Sequence, residues 1–373
     1  MTHKRLRILY TIPNFNTAGS GKSVYDLVKG LDRTLFEPEV CCFHNKGAFF
    51  KEVEALGVKI HLFPFTADYR PPLSFLLKVL KIRAFFKANE FDVIHSWHWS
   101  SDISEPLAAK LAGIPYVYTK KAMGWKGRYW KLRSKLSRKV IAVNEDMMTD
   151  YFSNMLDKVV NFPLAIDVEH YQPKVPSETI RRQLNLTPEN FVIISVANLV
   201  EVKGIEVLLE SVNYLNNPNL KVLIVGDDTG AYAQKLKTKY LNQRQFQFIG
   251  KQLDVKPYLA LSDLFVIPTK DEGRREGIPN APLEAMSMEC IVLGSNITGI
   301  RDILEPFPEC MFQAGDIVGL ANKIETFRNL PNTEKLDLKK AMRKRVVDVF
   351  SIKDFLKNHQ ALYLKLLNRD NIK

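Results

Sequence analysis

No stretch of this sequence approaches the roughly 20 consecutive apolar residues that span a bilayer, so no membrane-crossing helix is expected. Cysteine is scarce. Cys41, Cys42, Cys290 and Cys310 are too few and too scattered for a metal knuckle or a disulfide framework. The adjacent pair lies inside the apolar run Val40–Phe43 and reads as small buried hydrophobes, which suits a reducing cytoplasm. Residues 1–5 run straight into a strand-like segment, with neither the apolar core nor the cleavage site of a signal peptide. A cytoplasmic protein is expected, soluble or held at the inner face of the cell membrane. Negative charge is also short: 41 Asp+Glu face 53 Lys+Arg, a net +12. Such an excess points to an anionic partner, which could be nucleic acid, a membrane surface or a phosphorylated small molecule.

What is present is ordinary for a folded protein: 46% apolar and 25% charged residues over 373 positions, enough for two domains. Short β-branched runs alternate with helix-period segments almost throughout. Arg7–Ile12 reads as a strand, and Val24, Leu27, Val28 and Leu31 then mark one helix face. Further strands are expected at Val40–Phe43, Lys59–Phe63, Asp92–His95, Tyr116–Thr119 and Lys139–Val143, with helices near 73–88 and 102–111. Pro163, Pro173, Pro176 and Pro188 then punctuate a polar linker over 161–190. A second alternating set follows: strands at Phe191–Ala197, Lys221–Val225, Gln245–Ile249, Leu264–Ile267 and Ile291–Leu293, with helices near 205–214, 231–241, 255–261 and 282–289. A helix over 352–367 ends the chain. This is an α/β pattern of two Rossmann-like, doubly wound domains, whose ligands bind at the carboxyl ends of the strands.

Ala18-Gly19-Ser20-Gly21-Lys22-Ser23 sits where a phosphate-binding P-loop would, but the Gly needed five residues before Gly21 is Asn16. An NTPase is therefore not expected, although a Gly-rich first turn lets backbone approach a ligand. The stronger signal is Glu276-Gly277-Ile278-Pro279-Asn280-Ala281-Pro282-Leu283-Glu284. Pro282 suits the first turn of a helix, which puts Glu276 in the loop and Glu284 about one turn in. Carboxylates accept pairs of sugar hydroxyls, and a helix N-terminus favours a diphosphate. The pattern fits a nucleotide-sugar, though two glutamates eight apart are also common on solvated surfaces.

This stretch resembles the E-x7-E signature of the retaining family-4 glycosyltransferases, which have the GT-B fold. Val196–Gly204, Leu223–Asp227, Phe248–Gly250, Leu261–Pro268 and Phe91–His95 resemble that family's other motifs in the same order. The resemblance implies two Rossmann-like domains facing across a cleft: an acceptor-binding domain over 1–165, a nucleotide-sugar domain over 166–351, and a helix over 352–373 returning to the first. It implies a metal-independent hexosyltransferase without a cofactor. The donor is a nucleotide-diphosphate sugar, UDP favoured, carrying a hexose or N-acetylhexosamine. The acceptor is a hydroxyl of a glycan or lipid-linked molecule in cell-surface polysaccharide or glycolipid synthesis. Glu276 would bind donor-sugar hydroxyls, Glu284 the ribose and Lys203 the diphosphate. Ile249, Gly250 and Leu253 would border the base, and Gly277, Ile278, Pro279 and Asn280 the diphosphate. Gly19 would let the donor phosphates approach the first loop.

Two departures are visible. Asn198 stands where many relatives carry an Arg beside the diphosphate, and Lys121 where many carry a His that contacts the sugar. Glu276, Lys203 and Lys121 are thus the residues expected at the reacting centre. His95, Lys120, Lys121 and Lys126 are expected on the acceptor side, with a structural role as the plainer reading of His95. A D-x-D triplet is absent from the chain, which argues against a metal-bridged diphosphate. An epimerase, a phosphorylase or a non-catalytic binder of the same fold is the alternative. A nucleic-acid-binding protein is the remote one, since no such module is present. The charge excess concentrates over 120–139, where nine basic residues meet no acidic one. Trp125, Tyr129, Leu132 and Leu136 recur there at helical spacing. Such a helix could lie on an anionic membrane or grip a phosphorylated acceptor, or it could pack its stripe on the core.

Overall fold

The computed structural model describes residues 4–16, 18–47, 49–124, 129–272 and 277–368. They form two compact units, one made of the chain up to Leu164 together with the segment from Ile352 onward, the other of Ala165–Ser351.

The first unit is built on β1 (Leu6–Thr11), α1 (Ala18–Gly30), β2 (Phe36–Cys42), α2 (Phe50–Glu54), β3 (Ile60–Leu62), α3 (Pro72–Ala88), β4 (Val93–Ser96) and α4 (Ser104–Ala112). It continues through β5 (Tyr116–Lys120), α5 (Trp130–Leu136), β6 (Lys139–Ala142), α6 (Glu145–Asp150) and β7 (Val159–Asn161). Every pairing is parallel, in the order β3-β2-β1-β4-β5-β6-β7. Strands buried on both faces need near-continuous apolar runs, and Ile8, Leu9, Tyr10, Val93, Ile94, Val117 and Tyr118 supply them.

The second unit repeats the plan. It contains α7 (Glu178–Gln183), β8 (Phe191–Val196), α8 (Ile205–Leu215), β9 (Leu220–Val225), α9 (Ala231–Lys239), β10 (Phe246–Gly250), α10 (Lys256–Ala260) and β11 (Leu264–Ile267). Then come α11 (Asn280–Ser287), β12 (Ile291–Ser295), α12 (Ile300–Leu304), β13 (Met311–Phe312), α13 (Ile317–Asn329) and α14 (Asn332–Val349). The sheet order is β10-β9-β8-β11-β12-β13, again parallel. The final helix α15 (Ile352–Leu366) belongs to the first unit, where Phe355, His359, Leu362 and Tyr363 are buried. In both sheets the strand order reverses once, between β1 and β4 and between β8 and β11. Ligands of open parallel sheets bind at that point, outside the carboxyl ends.

Three expectations need correction. β2 starts at Phe36, four residues before its apolar run, because Glu39 is buried against Arg7 and the His61 ring, 2.6 Å away. The expected linker begins inside β7, a three-residue edge strand too short to show alternation. The basic segment 120–139 is not one helix. Lys120 ends β5, Lys139 opens β6, and α5 covers only seven residues, with 125–128 outside the described residues. Its buried face is Trp130, Arg133, Ser134 and Ser137, while Leu132 of the expected stripe points outward. All four cysteines are buried and free, as read.

Candidate active site

At the switch point of the second unit, the chain leaves β8 through Ala197–Val200 and makes one tight 3-10 turn, Glu201–Lys203, before α8. Gly204 between them has φ +62°, and a Cβ there would lie 2.2 Å from the Pro268 carbonyl oxygen. Only glycine allows both the left-handed backbone and that approach. The Lys270 N–H also donates to the Val202 carbonyl at 2.8 Å, and Lys270 pairs with Glu206. The loop after β11 thereby clamps the turn that carries Lys203, which is half-buried.

The same loop leads into α11. Gly299, at φ +82°, lies so close to the Gly277 carbonyl that a Cβ would come within 2.0 Å. This contact pins the buried stretch Gly277–Ile278–Pro279 against the start of α12. No side chain caps α11, and its first-turn N–H groups have no partner within the helix. Two buried acceptors stand nearby in sequence, Thr269 Oγ1 and Asn280 Oδ1, and neither has a hydrogen-bond partner among the described residues. Buried polar atoms are normally satisfied; these two are among eight buried side-chain atoms without a partner among the described residues. Pro282 falls in the first turn of α11 and Glu284 one turn in, half-buried on the helix.

The Gly226 N–H donates to the Gly250 carbonyl at 3.1 Å, and the Ala197 N–H to the Val225 carbonyl at 3.0 Å. These bonds gather the ends of β8, β9 and β10, with Asn198, Ile249 and Gly250, on one edge. Leu253 is wholly exposed on the next loop. Glu276 lies outside the described residues, and so does Lys126.

In the first unit the equivalent edge is held by a buried pair that local patterning did not reveal. Arg133 is fully buried 3.8 Å from Glu105. It donates to Ser96 Oγ (3.1 Å), Tyr116 OH (2.8 Å) and the His98 and Ser100 carbonyls, fixing the loop after β4. Burial pushes the Glu105 carboxyl up to about 7, opposed by Arg133 and by donors on Thr11, Ser96 and Tyr116. On that loop, the Lys121 Nζ donates to the Trp97 carbonyl at 2.5 Å and sits 5.4 and 5.1 Å from the Trp97 and Trp99 rings.

Lys120 is different. It is buried, donates to the Ala122 and Gly124 carbonyls at 2.9 and 3.0 Å, and lies over Trp130 and Tyr151. Burial lowers its pKa to about 8. It pins a loop. His95 is fully buried, with one ring nitrogen on Thr119 (2.8 Å) and the other on Tyr363 (2.7 Å), so it packs in the core under α15. Gly19 lies in the first turn of α1, and Lys22 pairs with Asp26 at 2.6 Å, one turn along the same helix.

Residues 17–170 match the family described as Glycosyltransferase Family 4, and residues 176–345 match Glycosyl transferases group 1. The capsular polysaccharide biosynthesis glycosyltransferase CapH of Staphylococcus aureus is 25% identical over 320 residues, covering 83% of this chain and 86% of that protein. An Escherichia coli UDP-Gal:alpha-D-GlcNAc-diphosphoundecaprenol alpha-1,3-galactosyltransferase is 25% identical over 317 residues, covering 78% and 79%. Among solved structures, a glycosyltransferase from Rickettsia africae superposes with a TM-score of 0.86 over 98% of this chain and 99% of that one. At 18% identity it speaks for the fold alone.

Proposed function

For a chain whose two matched domains make it a family-4-like glycosyltransferase of GT-B fold, we propose a retaining, metal-independent hexosyltransferase that uses a UDP-sugar. It transfers a hexose or N-acetylhexosamine to a hydroxyl of a glycan or lipid-linked acceptor. The process is cell-surface polysaccharide synthesis, as in the capsular relative. The undecaprenyl-diphosphate acceptor and UDP-galactose donor of the second relative support the finer choices.

The observation that carries the reading is the switch point of the second unit. There a clamped lysine turn and an uncapped helix start lie beside two buried, unpartnered acceptors. Lys203 and the first turn of α11 take the diphosphate, Thr269 and Asn280 accept from donor hydroxyls, and Glu276 and Glu284 hold sugar and ribose. Asn198, Ile249, Gly250 and Leu253 border the nucleotide. Departure of the diphosphate is then the step the protein assists, because preorganised positive charge stabilises the leaving oxyanion. That oxygen takes the acceptor's proton on the face it leaves, so the anomeric configuration is retained without a protein nucleophile. Lys121, between two indoles in the first unit, serves the sugar or the acceptor. Peripheral contact with an anionic membrane belongs to the same reading. No helix among the described residues is long and apolar enough to cross one.

The test is a nucleotide screen by thermal shift, followed by turnover with UDP-sugars and NMR of the product's anomeric centre. Stabilisation by UDP and release of UDP with acceptor present support the reading. Inverted product, or activity that disappears in EDTA and returns with manganese, contradicts it.

A further inference from the structure

The helix α3 has apolar residues on both faces. Val79, Ile82 and Phe86 are buried in the first unit. On the opposite side Leu73, Leu76, Leu77 and Leu80 recur at i, i+3, i+4 and i+7, and they are 72%, 48%, 61% and 41% exposed. A helix packed on a core normally buries one apolar stripe and keeps the opposite face polar. A contiguous row of leucines left in water is the kind of patch that marks an interaction surface.

The charges around the row say what covers it. Right-handed crossovers from β3 to β4, β4 to β5 and β5 to β6 place α3, α4 and α5 in one layer on the same face of the sheet, and α3 packs on α4 and α4 on α5. Lys78, Lys81, Lys87, Lys110, Lys131 and Lys135 of these helices are exposed. The only acidic residue in the three helices is Glu105, which is buried against Arg133. Asp68, just before α3, lies 3.7 Å from Lys78 with both side chains in solvent, a weak pair. A second copy packing isologously would set this cationic layer against itself. Leucines that can enter acyl chains, flanked by lysines that can reach phosphate headgroups, instead match an anionic bilayer surface.

We infer that the outer face of α3 is the membrane-docking surface of this protein, with Leu73, Leu76, Leu77 and Leu80 inserted at the headgroup boundary of an anionic leaflet. The inference deepens the peripheral-membrane part of the proposed function and moves it from the basic segment around α5 to α3. The geometry suits a lipid-linked acceptor. The leucine-rich start of α3 lies beside the start of α4, where the Ile103 N–H donates to Tyr69 OH at 3.2 Å. That is the same edge of the unit that carries Lys121 and the Trp97–Trp99 loop.

The experiment is co-sedimentation of the full chain with vesicles of phosphatidylglycerol and phosphatidylethanolamine, against pure phosphatidylcholine. Wild type should pellet with the anionic vesicles only. The combined variant Leu73→Gln, Leu76→Gln, Leu77→Gln, Leu80→Gln should lose about tenfold or more in partitioning. Lys78→Gln and Lys81→Gln should each cost about fivefold on anionic vesicles. Circular dichroism and the UDP thermal shift report folding. If the fourfold variant misfolds, Leu77→Gln alone carries the test. Absence of wild-type binding overturns the inference, as does binding that survives the leucine changes but is lost in Lys131→Gln, Lys135→Gln. A dimer in light scattering that the leucine changes dissolve, without vesicle binding, assigns the face to a second copy and also overturns it. Sugar transfer to a soluble acceptor, with release of UDP, is measured separately, so a failed glycosyltransferase reading is told apart from a failed membrane reading.

Discussion

Lys203 and Gly204 are neighbours with separable jobs. Lys203→Ala removes a cation from the proposed diphosphate position, and losing such a preorganised charge costs about 3 kcal/mol of barrier, roughly a hundredfold or more in kcat. Steady-state turnover should fall by that factor while the melting temperature holds. Gly204→Ala should do the reverse first. Its backbone is left-handed and its Cβ would strike the Pro268 carbonyl, so about 2 kcal/mol or more of stability is lost, read as a lower urea midpoint. The stretch Val196–Gly204 stood out only through its resemblance to a family motif following a strand. Thr269 did not, since nothing local distinguishes a strand-end threonine with a partner from one without. Arg133 was read as one more cation on a basic flank. Its partner Glu105 lies 28 positions earlier, and only the packing of α4 against α5 brings them together.

At the scale of elements, long periodic segments were recovered closely: α3, α4, α8, α9 and α15 match their expected spans within a few residues. Short pieces escaped, β7 and β13 above all, because two or three residues carry no period. The stripe over α5 failed for another reason. A 3.6-residue period reveals that faces exist, and the inward face here is the one holding Arg133 and two serines. Burial of three histidines in the first unit also sets an acid response, two of them packed with α15. Burial lowers His359 to about 4, His98 to about 3 and His95 well below its ordinary value. Their unfolded value is near 6.5, so the unfolded chain gains protons first as pH falls, and stability present above pH 6.5 is lost on the way down. Glu105 works in the opposite direction, binding a proton in the fold below about 7 that the unfolded chain takes only near 4.5. Burial also raises the Asp102 and Asp263 carboxyls, which act with Glu105, so the three histidines leave a net loss of at most about 2.7 kcal/mol per pH unit. Urea midpoints from pH 7 to 5 should fall accordingly, and His359→Gln should flatten the slope by one proton.

For the molecule as a whole, the two units share a topology but not a covalent logic. The second is one continuous segment, whereas the first is completed by the last helix of the chain. Alternation and proline punctuation revealed the two sheets, but they cannot say where a terminal helix docks. That follows from what it covers: Tyr363 reaches Tyr10 OH at 3.0 Å and the His95 ring at 2.7 Å, Phe36 packs edge-on to Tyr363, and Leu356 fits over Gly30. A chain ended after Ser351 would therefore expose the centre of the first sheet at β1 and β4 while leaving every strand of the second intact. Burial of Phe355, Leu362 and Tyr363 is worth roughly 1.5–3 kcal/mol per side chain, together comparable to the whole stability of a domain. The truncated chain should lose the cooperative unfolding of its first unit, seen as loss of its near-ultraviolet circular dichroism and rapid proteolysis before residue 164. Because Lys203, Thr269 and α11 all belong to the second unit, UDP should still raise the melting temperature of what remains. Loss of that shift along with the first unit would place part of the nucleotide site outside Ala165–Ser351.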